Sequence, residues 1–225
     1  MSRLHLLFLF LSFAIFLGKG QENNEILKNY IIWQPDLNIE YDDFELQADT
    51  SIVKQFKNLW ISSSCKVKIL VVMDIPKQNR RFSFKQEKVY IAPVFCKQLS
   101  CNIAKQPKTL EYAKLQLDLA EWCARKTRKR IADLSQIKHA KGLVFDSLPG
   151  IVNEMNLELT NLVAAFNNQV MIKKKEGAFK NWREKCYGLL NENKSFATNN
   201  KDYNRFVNET PESDDYKEVF KSMGE

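Results

Sequence analysis

Histidine is nearly missing from this chain: only His5 and His139 occur in 225 residues. A catalytic zinc centre usually takes three protein ligands, with neutral imidazole prominent among them, so the usual two- or three-histidine site is excluded. No Cys-x-x-Cys pair and no Cys/His array is present, which removes the common structural zinc sites as well. Glycine and proline are scarce, at 7 and 6 residues, too few for a collagen-like or low-complexity protein. Gly-rich phosphate loops are absent, and so is any internal repeat. After residue 20 no apolar run is longer than that at 69–73, strand-sized and far short of the roughly 20 residues that a spanning helix needs.

What is present starts with a secretory layout. Arg3 and His5 form a charged start, residues 6–17 an apolar run, and Gly18-Lys19-Gly20 a small-residue exit. This reads as a signal peptide cleaved near Gly20, the rival being a retained anchor. No cysteine stands at the exit, so a lipid-anchored start is not indicated. The expected mature chain is 21–225, secreted or periplasmic. It loses Arg3 and Lys19 and no acid, so its formal charge falls from +7 to +5. Cations cluster at 125–130 and 173–175, acids at Glu212, Asp214 and Asp215. Such basic runs read first as solvated helix faces and second as a surface for a polyanion.

Export permits disulfides. The cysteines are Cys65, Cys96, Cys101, Cys123 and Cys186, and an odd count leaves at least one thiol unpaired. Cys96 and Cys101 are near enough in sequence to pair across a short loop, but the pairing is open. Cys123, beside Trp122, reads as a small core residue.

The first half is strand-like. Residues 30–33, 38–41, 67–74, 81–84 and 89–95 are short and rich in Val, Ile, Tyr and Phe. The second half is helical: 110, 113, 117, 120, 124, 127, 131 and 134 recur at steps of three and four behind Pro107. Gly142 and Pro149-Gly150 interrupt that pattern, and a second helix carries Met155, Leu159, Leu162, Phe166 and Val170 on one face. Gly177 closes it, and a third helix spans 179–190 around Trp182. Residues 191–225 are polar with little apolar periodicity, which predicts a loosely ordered tail. The expectation is an α+β protein with a single domain over 21–190.

The catalytic constellations are thin. Glu111, Lys114, Asp118, Glu121 and Arg125 stand at helical spacing and read as an outward, self-pairing charged face. Asp42-Asp43 read as turn or surface residues. Residues 62–65 have no neighbouring histidine and read as a loop. His139, flanked by Lys138 and Lys141, has no visible activating partner. Aromatics do not alternate with basic residues as a nucleic-acid platform would, so no nucleic-acid partner is expected.

The string Leu117-Asp118-Leu119-Ala120-Glu121-Trp122-Cys123-Ala124-Arg125-Lys126 resembles the end of the signature of DUF922, a family of secreted bacterial proteins regarded as zinc peptidases. There a His-Glu-x-x-His motif runs into Phe-Asp-Ile-Ala-Glu and an Ala-Arg-Lys-like stretch. Trp33-Gln34-Pro35-Asp36-Leu37 followed by Asp42-Asp43-Phe44 is similar to the family's opening segment, and Val94-Phe95 through Ser100-Cys101 to its Phe…Ser-Trp segment, with cysteine for tryptophan. The resemblance covers roughly 30–169. It implies a zincin-like scaffold, with Trp33, Asp43, Phe44, Ser100, Asp118, Glu121 and Arg125 as signature positions. In that register Tyr112 and Gln116 take the places of the two metal-binding histidines, Ala113 that of the catalytic glutamate, and Leu162 that of a later histidine. Histidines four apart grip one metal from one helical face, and the glutamate takes a proton from metal-bound water. Tyrosine, glutamine, leucine and alanine do neither, and Glu111 sits about 100° around the helix from the missing base. No catalytic residue, metal or cofactor is therefore expected.

Three readings follow. The first is a non-catalytic pseudo-peptidase that binds a peptide or an envelope protein. The second is a hydrolase using a cysteine with His139, and the third a basic adaptor docking an acidic envelope partner through 125–130.

Overall fold

A computed structural model describes residues 25–46, 63–77, 87–102, 105–137 and 143–224. The leader expected at 1–20, the strand expected at 81–84 and His139 lie outside the described residues.

The chain is α+β. Its order is α1 (Glu25–Asn29), β1 (Tyr30–Ile32), β2 (Ser63–Ser64), β3 (Val67–Pro76), β4 (Lys88–Cys96), β5 (Cys101–Asn102), α2 (Pro107–Ser135), α3 (Leu143–Phe166), α4 (Ala178–Glu192), α5 (Asn200–Asn208) and β6 (Tyr216–Ser222). A π-helical turn, Asn167–Ile172, extends α3. The main sheet is antiparallel with order β1-β4-β3-β6, and β2 pairs with β5 in a separate ribbon.

The run at 69–73 is continuous because both faces of β3 are covered. Ile69, Val71 and Met73 meet Ile91 and Phe95 beneath α2 and α3. Leu70 and Val72 join Tyr90, Ala92 and Val94 on the other face, under Ile26 of α1 and Phe206 of α5. Helix α2 is enclosed on two sides. Ala113, Leu117, Ala120 and Ala124 pack on the sheet, while Leu115 and Leu119 pack on Phe166, Trp182 and Cys186 of α3 and α4.

Four expectations need correction. Residues 38–41 do not form a strand. The Asp43 carboxylate accepts the Glu40 amide proton at 2.8 Å, and Tyr41–Asp43 closes a 3-10 turn, so side chains take the amides that a strand would offer a neighbour. Pro149-Gly150 does not delay α3, which starts at Leu143 and carries Pro149 inside it. Burial of Val144, Leu148, Val152, Met155 and Leu159 against the sheet outweighs the roughly 3 kcal/mol that an interior proline costs. Gly177 does not close α3 but precedes α4, with φ of 69°, in the left-handed region that glycine tolerates. Finally, 191–225 is not loosely ordered: it supplies α5 and edge strand β6, and buries Asp202, Arg205 and Phe206.

Among the described residues all five cysteines are free thiols, with Cys65 half-buried and the rest buried. Cys96 faces the α5 side of the sheet, whereas Cys101 sits in the β2–β5 ribbon. No described helix is long and apolar enough to cross a membrane.

Candidate functional site

Of the positions singled out by the resemblance, Trp33, Asp118, Glu121 and Arg125 come together on α2, in the interior. Trp33 follows β1 directly, and its indole N–H donates to Asp118 Oδ1 at 2.7 Å. Lys114, one turn earlier, also bonds that carboxylate, and the Arg125 guanidinium lies 5.3 Å from the centre of the Trp33 ring. Glu121 is fully buried. Its Oε1 accepts from Arg125 Nε at 2.7 Å and from the Thr198 amide at 2.9 Å, and its Oε2 from the Thr198 hydroxyl at 2.6 Å. Arg125 also donates to the Leu190 carbonyl at 2.6 Å, capping the end of α4.

Of the expected outward charged face, Glu111 is exposed and Lys114 half-buried, but the rest is a buried seam. The pairs Lys114–Asp118 and Glu121–Arg125 do form at i,i+4 spacing, but Asp118, Glu121 and Arg125 are 4%, 0% and 6% exposed. The reason is the C-terminal segment, which lays Thr198 and the end of α4 over this side of the helix. Desolvated charges of this kind persist only when paired and hydrogen-bonded, and each of these is.

The seam runs one turn further than the signature. Arg128 donates to the Phe196 carbonyl at 2.8 Å, to Thr198 Oγ1 at 2.7 Å and to the Ile91 carbonyl. Asp202 accepts the Ile91 amide at 3.1 Å. Strand β1 pairs with β4 only from Val94 to Cys96, so Arg128 and Asp202 satisfy the backbone of β4 where β1 has ended. A second buried pair lies at the bulge after Met73: Arg205 binds Asp74 through two bonds of 2.7 and 2.9 Å and Glu218 at 2.7 Å. Sequence reasoning missed Arg128, Thr198, Asp202, Arg205 and Asp74. Arg128 was legible as the next step of the stripe. Asn199-x-x-Asp202 is a capping box, a helix-start signal inside the supposed tail.

The remaining signature positions are structural too. The Phe44 ring stands edge-on to Phe95 at 5.1 Å. Ser100 is buried, and its hydroxyl accepts the Lys66 amide at 2.9 Å. Asp43 caps its 3-10 turn as described.

Tyr112, Ala113, Gln116 and Leu162 lie elsewhere on α2 and on α3. Tyr112 packs between Phe166 and Phe179, at centroid distances of 5.9 and 5.0 Å. Gln116 is 2% exposed. Its amide donates to Asn167 Oδ1 at 3.0 Å, at the start of the π turn, while its own Oε1 has no partner. Leu162 borders the same apolar cluster as Tyr112. Ala113 points away from them, into the core beneath the sheet. Burial, with Glu111 as a lesser cause, raises the pKa of Tyr112, so its phenol stays protonated at neutral pH. A neutral phenol, an amide and two alkyl groups do not fit zinc. Among the described residues no three His, Cys, Asp or Glu side chains come together as a metal site.

Two further features bear on the other readings. Burial pushes the pKa of Cys96 up to about 11 and that of Cys186 up to about 12, and raises those of Cys65 and Cys123, the reverse of what activates a thiolate nucleophile. The cations of 125–130 all have partners within the chain. Arg125 and Arg128 belong to the seam, and Lys126, Lys129 and Arg130 pair with Glu158, Asp133 and Glu154.

The outer side of Tyr112 opens on a cleft of about 400 Å³ between the start of α2 and the π turn, with Phe179 and Met171 in its wall. Lys108, Lys174, Lys175 and Lys180 also line it.

Comparison with protein-family models, with curated proteins and with solved structures gave no match.

Proposed function

We propose that this protein is an exported, non-catalytic relative of the DUF922 peptidases, built on a zincin-like scaffold and acting by binding at the cell envelope. The observation that carries this reading is the contrast between kept and lost positions. Trp33, Asp118, Glu121 and Arg125 are joined in one buried seam. Tyr112, Gln116 and Leu162 are packing residues on the neighbouring flank of the helix. A scaffold that keeps its internal framework and fills its metal positions with aromatic, amide and alkyl groups holds shape without the power to activate water. The leader at 1–20 supports export, and N-terminal sequencing of protein recovered outside the cytoplasm is expected to begin near Gln21.

The test is a rebuilding experiment. Tyr112→His, Ala113→Glu, Gln116→His and Leu162→His together restore the family's residue types. The expected result is zinc uptake by this variant alone, together with no cleavage of a broad peptide library by the wild-type chain supplied with zinc. Peptide cleavage by wild-type protein that stops with a chelator would overturn the proposal.

A further inference from the structure

The helical layer ends in a surface whose composition points to a lipid interface. The π turn stops at Ile172, which is 72% exposed, the most exposed large apolar side chain among the described residues. Lys173, Lys174 and Lys175 follow, all exposed. Lys174 has φ of 46° and Gly177 φ of 69°, so two left-handed residues turn the chain between the π turn and α4, where Ile172 and the lysines are exposed together. Lys174 and Lys175 also line the cleft beside Tyr112, together with Lys108 and Lys180, and no carboxylate lies in that lining. The nearest acids offset this only in part. Glu176 belongs to the adjoining opening, Glu111 neighbours Tyr112, and Glu184 faces Lys180 at 3.9 Å across two highly exposed side chains, a pairing weakened by solvent.

We infer that this segment docks on an anionic bilayer, with Lys173 and Lys175 against headgroup phosphates, Lys174 beside them keeping its contact within the chain, and Ile172 entering the boundary between headgroups and acyl chains. Charge alone would suit any polyanion. An isoleucine held out in water beside three lysines gains only where an apolar phase lies just behind the negative charge, and an anionic membrane surface is such a place. The inference uses cations and an isoleucine rather than the replaced metal positions, so it stands whether or not the peptidase relationship holds.

Vesicle sedimentation with the full chain tests it. Phosphatidylcholine vesicles are compared with vesicles containing phosphatidylglycerol. The apolar run at 6–17, where retained, binds both, so the readout is the ratio of the two partition coefficients. Wild-type protein is expected to favour the anionic vesicles, less so as salt rises. Reversing Lys173, Lys174 and Lys175 to Glu should lower anionic partition by more than about tenfold, since each lysine near such a surface contributes about fivefold. Ile172→Ser, which changes no charge, should lower it by about tenfold. Lys129→Glu, on α2 but paired with Asp133, should stay within about twofold. Circular dichroism verifies that each variant is folded. Equal partition to both vesicle types, or triple-reversal and Ile172→Ser variants that bind like wild type, would overturn the inference. So would a preference for soluble polyglutamate that ignores Ile172→Ser, which would indicate an acidic polypeptide partner instead.

Discussion

Helix α2 has two buried flanks that differ in kind. Along the one facing Trp33 and the C-terminal segment, Lys114, Asp118, Glu121, Arg125 and Arg128 form a continuous polar seam, tied by Thr198 and Leu190 to the rest of the chain. The flank facing α3 and α4 is apolar, built from Leu115, Leu119, Phe166 and Trp182, with Gln116 its one buried amide and half of that amide unsatisfied. The seam is over-determined, since most of its members answer to two or more partners. The apolar flank tolerates exchange, because packing asks for volume rather than for a particular donor.

That comparison is open to direct attack. The largest effect is expected from Glu121→Ala, which leaves Arg125 and Arg128 without their buried counter-charge. Urea denaturation should show a loss of about 3–5 kcal/mol, and a loss under about 1 kcal/mol would mean that the seam is not what holds the C-terminal segment down. Trp33→Phe keeps a ring beneath Arg125 but removes the N–H that Asp118 accepts, and should cost about 1–3 kcal/mol. On the other flank, Gln116→Leu removes the orphaned oxygen and frees Asn167 to turn to water. Its change in stability should stay within about 1 kcal/mol in either direction. A cost matching that of Glu121→Ala would erase the distinction between the flanks.

The smallest effect lies away from both. Burial, with Asp146 as a lesser cause, pushes the Glu87 carboxyl up to about 7 from its ordinary 4.5. A raised folded-state pKa favours the protonated form, so its contribution to stability is complete below about pH 4.5 and is lost as pH rises through 7. Glu87→Gln should therefore match wild type near pH 4 and be slightly the more stable at pH 8, by thermal midpoints at both values.

Periodicity carried much of the fold. The stripe from 110 to 134 placed α2, and the apolar run at 69–73 placed β3, which the structure covers on both faces. It failed where polarity was mistaken for exposure. Asp118, Glu121 and Arg125 have the spacing of a solvated charged face, and nothing local to α2 announces that Thr198 and Leu190 will cover them. The same error hid α5 and β6: Asp202 and Arg205 look like tail residues until Asp74, 131 positions from Arg205, supplies the counter-charge. Pairings that long-range are invisible to a local pattern, whereas the capping box at Asn199 is a local signal that went unread in a polar segment. Tyr112 and Gln116 were placed by register alone, and the structure puts them on the α3-facing flank of α2.

On the proposed function, helix α2 grips no ion. Zinc titration of the wild-type chain against a chromophoric chelator, with metal analysis of protein purified without chelators, tests it most directly. The account predicts no stoichiometric zinc and a titration that follows the chelator alone. One tightly held equivalent, lost in Tyr112→Phe or Gln116→Ala variants that remain folded, would contradict it.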